Sequence, residues 1–525
     1  MKNIKIKINN KEIVCSSEQT IMQVAKKNNI DIPGLCNHSD FSVKANCRVC
    51  VVEIIGRRNL ATSCSTKVED GMEIKTDTER VNKARNLNIE LIFAEHIEKC
   101  PNCIWRVNCQ LLDLAKKYKI KINRFKDRKS KRKIYKFANA IEIDGSQCID
   151  CRNCLDACSF MQNINYLQLV GKGTTQEVVP VGKDGCIYCG QCAVHCPVGA
   201  AQEQTHWEMV EKALKDKGKI VVAQFVPQIS ASIGEEFGLS YDKNSTSQIV
   251  SGFRQLGFNY VFDVNLGADM TIKTEAEDLL KRLIKKEKKL SMFSSCCPAW
   301  VKYVEFYRSE FISNLTKARS PHINNGGFIK TYLAEQLKID TKKIIVVSIM
   351  PCTAKKFEIT RQELKINNNF PVDYVLTTRE LAWLFKKNNI EFGKLKNSLV
   401  DSLRNNDNIT NVCSVNGGVM GAVLCKMQDL LCDEKKIINV LDFKDVNGLV
   451  GVKEAKIKIA DKILRVAIIN GIGNIKQILD KVEDYDYIEV MACPDGCVGG
   501  GGQPIPTTFE IRQKRLISLF GHVVK

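Results

Sequence analysis

The 525-residue chain predicts a multidomain protein of mixed α+β and α/β class. Three observations lead there. The opening MKNIKIKINN alternates apolar and polar residues as a half-buried strand does. Two dense cysteine runs, at 148–158 and 186–196, occupy the middle of the chain. Beyond residue 210, apolar strand-like runs alternate with helical patterns, which argues a large α/β domain with largely parallel sheets. We expect domains at 1–79, 80–123, 124–209 and 210–525.

Composition bounds the chemistry. Twenty-four cysteines would suggest disulfides in a secreted chain, but the opening reads as a strand and not as a signal peptide. A cytoplasmic, reducing setting with metal-bound thiolates is the expectation. No apolar run approaches the roughly 20 residues that span a bilayer, so no membrane partner is expected. The formal charge of +19 counts thiolates as neutral, whereas a four-thiolate iron–sulfur cube carries about −2 overall. The moderately basic surface that remains suits an acidic electron carrier better than nucleic acid, for which no reading motif appears.

Residues 1–79 open with a hairpin-like pattern, Ile4 to Ile8, then Asn9-Asn10, then Glu12-Ile-Val. Cys36, Cys47, Cys50 and Cys64 follow, with the strand-like Cys50-Val-Val-Glu-Ile-Ile before the last of them. Spacing does not identify a metal, and a structural zinc site fits these ligands too. Their order resembles plant-type [2Fe–2S] ferredoxins, which implies a β-grasp domain. The gap from Cys36 to Cys47 is longer than the four residues usual there.

Within 80–123, a largely helical pattern carries His96, Cys100, Cys103 and Cys109. One imidazole and three thiolates fit zinc by their chemistry. With His96 one helical turn before Cys100, the set resembles the His-ligated [4Fe–4S] module of respiratory complex I and of [FeFe] hydrogenases, and implies iron. From Lys116 to Lys136 positive charge is dense. It reads as a solvated connector or as a steering patch for an acidic ferredoxin.

Cys148, Cys151, Cys154 and Cys158, then Cys186, Cys189, Cys192 and Cys196-Pro197, follow the bacterial two-cluster ferredoxin spacing. The fourth cysteine of each run ligates the other cluster. One cube takes Cys148, Cys151, Cys154 and Cys196; the other takes Cys186, Cys189, Cys192 and Cys158. Ser159 stands where proline is usual after the first run.

In the large domain three strand-like runs each end in cysteine. Leu290 to Phe293 enters Ser294-Ser-Cys296-Cys297-Pro-Ala-Trp300; Lys343 to Met350 enters Pro351-Cys352-Thr-Ala-Lys355-Lys-Phe-Glu358. Tyr487 to Met491 enters Ala-Cys493-Pro-Asp-Gly-Cys497, followed by Gly499 to Gly502. The C-terminal edge of parallel strands is where α/β sheets bind ligands, and glycine permits close backbone approach. Cys297, Cys352, Cys493 and Cys497 make a fourth cube plausible if they converge, with Cys296 left as a free thiol. Asn416 to Gly421 is a further glycine-lined approach expected near this site.

These three stretches resemble the signatures of the [FeFe] hydrogenases, and the similarity runs over nearly the whole chain. The resemblance implies reversible interconversion of H2 with protons and electrons. It implies one [2Fe–2S] cluster, three accessory [4Fe–4S] clusters and an H-cluster, a [4Fe–4S] cube joined through Cys497 to a di-iron unit carrying CO, cyanide and a bridging dithiolate. Lys355, held by Glu358 at i+3, would face a cyanide. Met350, Met491, Ser320, Pro321 and Pro227 would surround the unit. Cys296 is the natural last proton donor, because a thiol exchanges protons near neutrality. The resemblance adds a route through Glu275, Thr316 and Asp278 to Arg282, although these could instead be the polar face of a helix.

The family commonly has serine at Thr316, glutamate at Asp278, Ala-Pro-Ser at Val226-Pro227-Gln228, Phe-Gly at Cys413-Ser414 and glycine at Ala299. Implied partners are an acidic ferredoxin or flavodoxin, H2 and protons, and hydrogenase maturation proteins. A non-catalytic electron-transfer subunit like that of complex I would explain residues 1–209 but not the strand-end motifs. A hydrogen sensor or an assembly factor is the other alternative.

Overall fold

A computed structural model describes residues 3–241, 245–284, 291–402, 418–431, 443–446, 451–460 and 462–520. Asn416, Gly417, Cys413 and Ser414 lie outside them.

The N-terminal hairpin forms as its alternation requires. Strand Asn3–Ile8 pairs antiparallel with Lys11–Ser16, and Asn9 and Asn10 turn the chain at φ 49° and 69°, the left-handed conformation asparagine tolerates in a two-residue hairpin. Glu73–Lys75 pairs parallel with the first strand, and Val51–Ile54 and Ala61–Thr62 complete a five-stranded sheet. Helix Ile21–Lys27 packs on it, started by a Thr20/Gln23 capping box.

Helix Glu79–Ala94 ends before His96. The turn from Ile97 to Asn102 is a 3₁₀ helix containing Pro101, so His96 and Cys100 are not related by an α-helical turn as the spacing suggested. Proline has no N–H to give and disfavours α geometry in the residue before it. A three-stranded antiparallel sheet follows, Ala201–Glu203, Ile141–Asp144 and Ile134–Phe137. A hairpin, Leu167–Val170 with Glu177–Pro180, lies between the two cysteine runs.

The large region holds two sheets. Tyr260–Asp263, Ile220–Phe225, Ile344–Met350 and Tyr374–Thr377 form a fully parallel one. Here Val222, Val346, Val347 and Ile349 are buried, the continuous apolar strand of a sheet covered on both faces. In the second sheet Met292–Phe293, Tyr487–Met491 and Lys462–Asn470 are parallel. Val452–Ile459 and Lys444–Asp445 continue it antiparallel. The expectation of largely parallel sheets therefore holds for the first sheet and for half of the second. Strand Val452–Ile459 pairs as a hairpin with Lys462–Asn470, its lysines on the open side. Helix Asn265–Ile284 begins well before the helical pattern expected from Thr274.

The basic stretch is neither a free connector nor a bare patch. Lys129 is buried against Glu95 and Asp150; Arg124 pairs with Glu90, Arg128 with Glu95 and Arg132 with Asp150. These carboxylates belong to the neighbouring helix and to the first cysteine run, so the segment clamps them together. Lys119, Lys121, Lys126 and Lys131 remain exposed.

A second clamp is deeper. Arg379 donates to Glu203, at 3.1 Å and 2.5 Å, and to the Gly501 carbonyl at 2.8 Å, and lies 4.8 Å over the Trp105 ring. Glu203 has no exposed surface. Arg379→Met strands that carboxylate and is expected to cost about 3–5 kcal/mol, read as a lower thermal unfolding midpoint of the cluster-loaded protein. Adding Glu203→Met should recover part of the loss.

Candidate functional site

The two sheets direct their strand ends into one interior cavity of about 230 Å³. Cys296, Cys297, Cys352 and Cys497 line it together with Pro227, Pro321, Met350, Lys355 and Met491. Cys493 stands behind them, buried. Burial pushes its thiol well up, and the sulfurs of Cys352, Cys297 and Cys497 push in the same direction. Burial likewise pushes Cys352 to about 11 and Cys497 to about 12, with Cys297 a shared neighbour. Cys497 is exposed as a residue, and it lines this cavity.

Glycines make the convergence sterically feasible. A Cβ at Gly500 would sit 2.1 Å from the Pro351 carbonyl oxygen, and one at Gly501 2.4 Å from that of Cys189. Thr353 Oγ1 donates to the Tyr188 carbonyl at 2.8 Å. The loops carrying Cys352, Cys497 and Cys189 are thereby in backbone contact.

Lys355 Nζ donates to the Cys296 carbonyl at 3.0 Å and to Glu358 at 2.7 Å. Burial would lift Glu358, but the charges of Lys355 and His322 hold it down at about 2. His322 Nε2 stands 2.6 Å from Glu358 and Nδ1 3.1 Å from Ser348. Sequence reading passed over His322; its place one residue after Pro321 was the available signal. Ser320 is buried, and its hydroxyl has no hydrogen-bond partner among the described residues.

The polar-face reading of helix Asn265–Ile284 fails at Glu275, which is completely buried. The Ser294 hydroxyl donates to Glu275 Oε1 at 3.2 Å and lies 3.4 Å from Cys296 Sγ, so it bridges the two. The Tyr487 hydroxyl donates to Glu275 Oε2. Burial pushes Glu275 up to about 7 against the pull of these two donors. Arg282 pairs with Asp278 at 3.2 Å and caps the Asn314 and Leu315 carbonyls. Thr316 Oγ1 accepts from the Ala318 N–H at 3.3 Å and bonds neither carboxylate among the described residues. Ser294 and Tyr487 were both missed, although Ser294 lies inside a quoted motif.

Glu489, also in the cavity wall, accepts from the Met420 N–H at 2.7 Å, and burial pushes it up to about 8. Val419 of the expected glycine-lined approach faces the same cavity.

The other cysteines gather in sets. Cys50 and Cys64 sulfurs are 3.3 Å apart, and the Cys47 N–H donates to Cys36 Sγ at 3.4 Å. Burial pushes up the thiols of Cys148, Cys151 and Cys154, and Cys196 adds to it at each, as Cys158 and Cys186 do at the buried Cys189 and Cys192. Asp150, Arg152, Tyr188 and Gly190 take left-handed φ of 57° to 72°, which turns backbone N–H groups inward; the Asp150 N–H donates to Cys148 Sγ at 3.3 Å. His96 Nδ1 stands 3.0 Å from the Gln147 carbonyl and carries its proton there, leaving Nε2 for a ligand. Burial lowers His96 to about 4, so the imidazole is neutral. Burial raises Cys103 and Cys109, and Cys100 adds to it at both.

The donor sets fit iron–sulfur groups. All described cysteines are free of disulfides. Crowded buried thiols resist ionisation, and a metal that displaces their protons removes the conflict. The orphaned Ser320 hydroxyl and the Lys355 ammonium suit a bound anionic unit at the cavity.

Comparison with known proteins agrees in outline. Residues 219–501 match the family described as iron only hydrogenase large subunit, C-terminal domain. Residues 1–79 match a 2Fe-2S iron-sulfur cluster binding domain, 85–124 the NADH-ubiquinone oxidoreductase-G iron-sulfur binding region, and 147–200 a 4Fe-4S dicluster domain. The chain is 38% identical to the NADP-reducing hydrogenase subunit HndD of Solidesulfovibrio fructosivorans, over 96% of this chain and 89% of that one. It is 36% identical to iron hydrogenase 1 of Clostridium pasteurianum, over 95% and 88%. Among solved structures, a variant of the [FeFe]-hydrogenase HydA1 from Chlamydomonas reinhardtii superposes with TM-score 0.54 at 31% identity, covering 60% of this chain and 88% of that one.

Gly501→Ala must push its loop away from Cys189. The expected outcome is slower reduction of the accessory clusters by H2 in stopped-flow absorbance, with hydrogen–deuterium exchange at the active site retained.

Proposed function

Because the chain belongs to the iron-only hydrogenase family, we propose that it interconverts H2 with protons and electrons at the cavity beside Cys296. The observation that carries this reading is the buried line Cys296–Ser294–Glu275 meeting a cavity faced by Lys355 and Cys497. When bound, an H-cluster supplies the metal centre at which hydrogen is formed or split. Cys297, Cys352, Cys493 and Cys497 hold its cube. Lys355, fixed by Glu358, offers a localised positive charge to the anionic unit, and Pro227, Pro321, Met350 and Met491 keep water out.

The chain's own residues move the proton. Cys296 Sγ holds it at the cavity, Ser294 Oγ relays it, and Glu275 takes it, poised near neutrality by burial. Asp278 and Arg282 continue outward on the same helix; Thr316 requires a water to join them. Residues 1–79, 80–123 and 124–209 supply the remaining cluster ligands in the sets given above, and maturation proteins insert the di-iron unit. Val226 and Gln228 also line the cavity, so its shape beside Pro227 differs from relatives with smaller residues there.

An acidic ferredoxin or flavodoxin exchanging single electrons is the carrier this reading favours, drawn by the exposed lysines near the His96 site. A second reading follows from the 38% identity to an NADP-reducing hydrogenase subunit: electrons pass to a companion subunit that reduces a nicotinamide. Rapid reduction of ferredoxin under H2 by the purified chain supports the first; a chain that reduces ferredoxin poorly, but co-purifies with a subunit that lets it reduce NADP, supports the second.

Infrared spectra of the matured protein test the centre itself. CO and cyanide stretching bands are expected; their absence removes the enzyme reading, and bands without turnover favour a sensor. Cys296→Ala should cut H2 evolution by roughly 10²–10⁴-fold, the range for a lost general acid, while leaving those bands in place.

The carboxyl of Glu275 titrates near neutrality because burial disfavours its charged form and two hydroxyl donors favour it. Tyr487→Phe removes one donor, so the acid form persists further. The inflection of the pH–rate profile is expected to move to higher pH.

A further inference from the structure

The long gap between Cys36 and Cys47 has an unexpected use: most of its polar residues bond outside residues 1–79. His38 Nε2 donates to the Thr507 carbonyl at 2.8 Å. Asp40 accepts from Arg512 at 2.8 Å, and Arg512 also pairs at 2.7 Å with Asp495, between Cys493 and Cys497. Asn46 donates to the Asp150 carbonyl. Ser42 donates at 3.0 Å to Asp156, which lies between Cys154 and Cys158.

Lys44 occupies the centre of this seam. Its ammonium pairs with Asp156 and donates to the Ser42 carbonyl and hydroxyl, each at 2.9 Å. The side chain is 11% exposed and that of Asp156 8%. The charges of Cys36, Cys151, Cys154 and Arg152 all reach this ammonium. The seam is therefore the place where the Cys36/Cys47/Cys50/Cys64 set faces the Cys148/Cys151/Cys154/Cys196 set.

We propose that Lys44 is a positioning residue for electron transfer between these two sites: its buried charge favours the reduced state of both clusters, while its bonds to Ser42 and Asp156 fix their separation. This rests on the iron–sulfur reading above. Reduction adds one electron and one negative charge to a cluster and makes or breaks no bond. A cation in a poorly screened seam lowers the energy of that added charge, and the effect falls on both sites because the ammonium feels sulfurs of both. Asp156 offsets part of it.

The test is a redox titration of the full, cluster-loaded chain followed by electron paramagnetic resonance. Wild-type signals from a [2Fe–2S] centre and from [4Fe–4S] centres must be present first; without them the cluster reading fails, and the proposal with it. Lys44→Met should shift the [2Fe–2S] centre and one cube to more negative midpoint potentials. Lys44→Arg should stay close to wild type. Asp156→Asn, which leaves the ammonium less compensated, should shift the same two centres to more positive potentials. Intact signals with unshifted potentials in both Lys44→Met and Asp156→Asn would overturn the proposal. So would equal shifts in Lys44→Met and Lys44→Arg, which would assign the effect to packing. If Lys44→Met fails to retain its clusters, Asp156→Asn decides by the same criterion.

Discussion

Sulfur crowded into a dry interior is the constraint on which this molecule depends. A buried thiol neither ionises easily nor finds strong hydrogen-bond partners, and here the thiols stand in sets that oppose each other's ionisation. Such sets would be a liability in a core unless a metal takes the protons' place. The left-handed turns at Asp150, Arg152 and Tyr188, the N–H groups aimed at sulfur and the glycine contacts around Gly500 and Gly501 all serve that arrangement. Binding of the inorganic groups and folding of these loops are thus thermodynamically one process.

The same constraint explains where the charged residues went. A chain with many separate cluster loops must hold them at fixed separations, since electrons pass between them. Ion pairs do this here from inside the seams: Arg379 with Glu203, Lys129 with Asp150, Lys44 with Asp156 and Arg512 with Asp40 and Asp495. Each connects a cysteine-bearing loop, or the segment beside one, to a different part of the chain. Buried pairs add little net stability but penalise every arrangement in which one partner is left alone. Registry is what they contribute. No helix among the described residues is long and apolar enough to cross a membrane.

The cavity shows a different balance. Its wall is mostly apolar, yet Lys355, Glu358 and His322 form a closed polar network beside it, and Glu275 and Glu489 are buried without a cation of their own. Burial, aided by the charge of Asp278 on Glu275 and of Glu275 on Glu489, lifts both toward neutrality. A pair of carboxyls poised near neutral pH beside a free thiol is the arrangement that proton exchange requires. The ammonium of Lys355, by contrast, stays charged because Glu358 stays charged. One side of the site thus carries buried carboxyls and the other a fixed ion pair.

What the sequence determined by itself was local. Cys-x2-Cys spacing, a two-asparagine hairpin and a β-branched strand running into Pro-Cys are properties of a few adjacent residues, constrained by the chain's own covalent geometry. Even so, the turn at His96 was misjudged because Pro101 changes the helix type, and the hairpin of Val452–Ile459 went unread although Ala455 to Ile459 alternates apolar residues with lysine. Tertiary structure decided the rest: that Cys297, Cys352 and Cys497 from three strand ends line one cavity, that Glu275 is interior and bridged to Cys296 by Ser294, and that a basic segment is a clamp. Those are many-body outcomes of burial, in which a side chain's partner lies up to hundreds of residues away. No spacing along the chain records them.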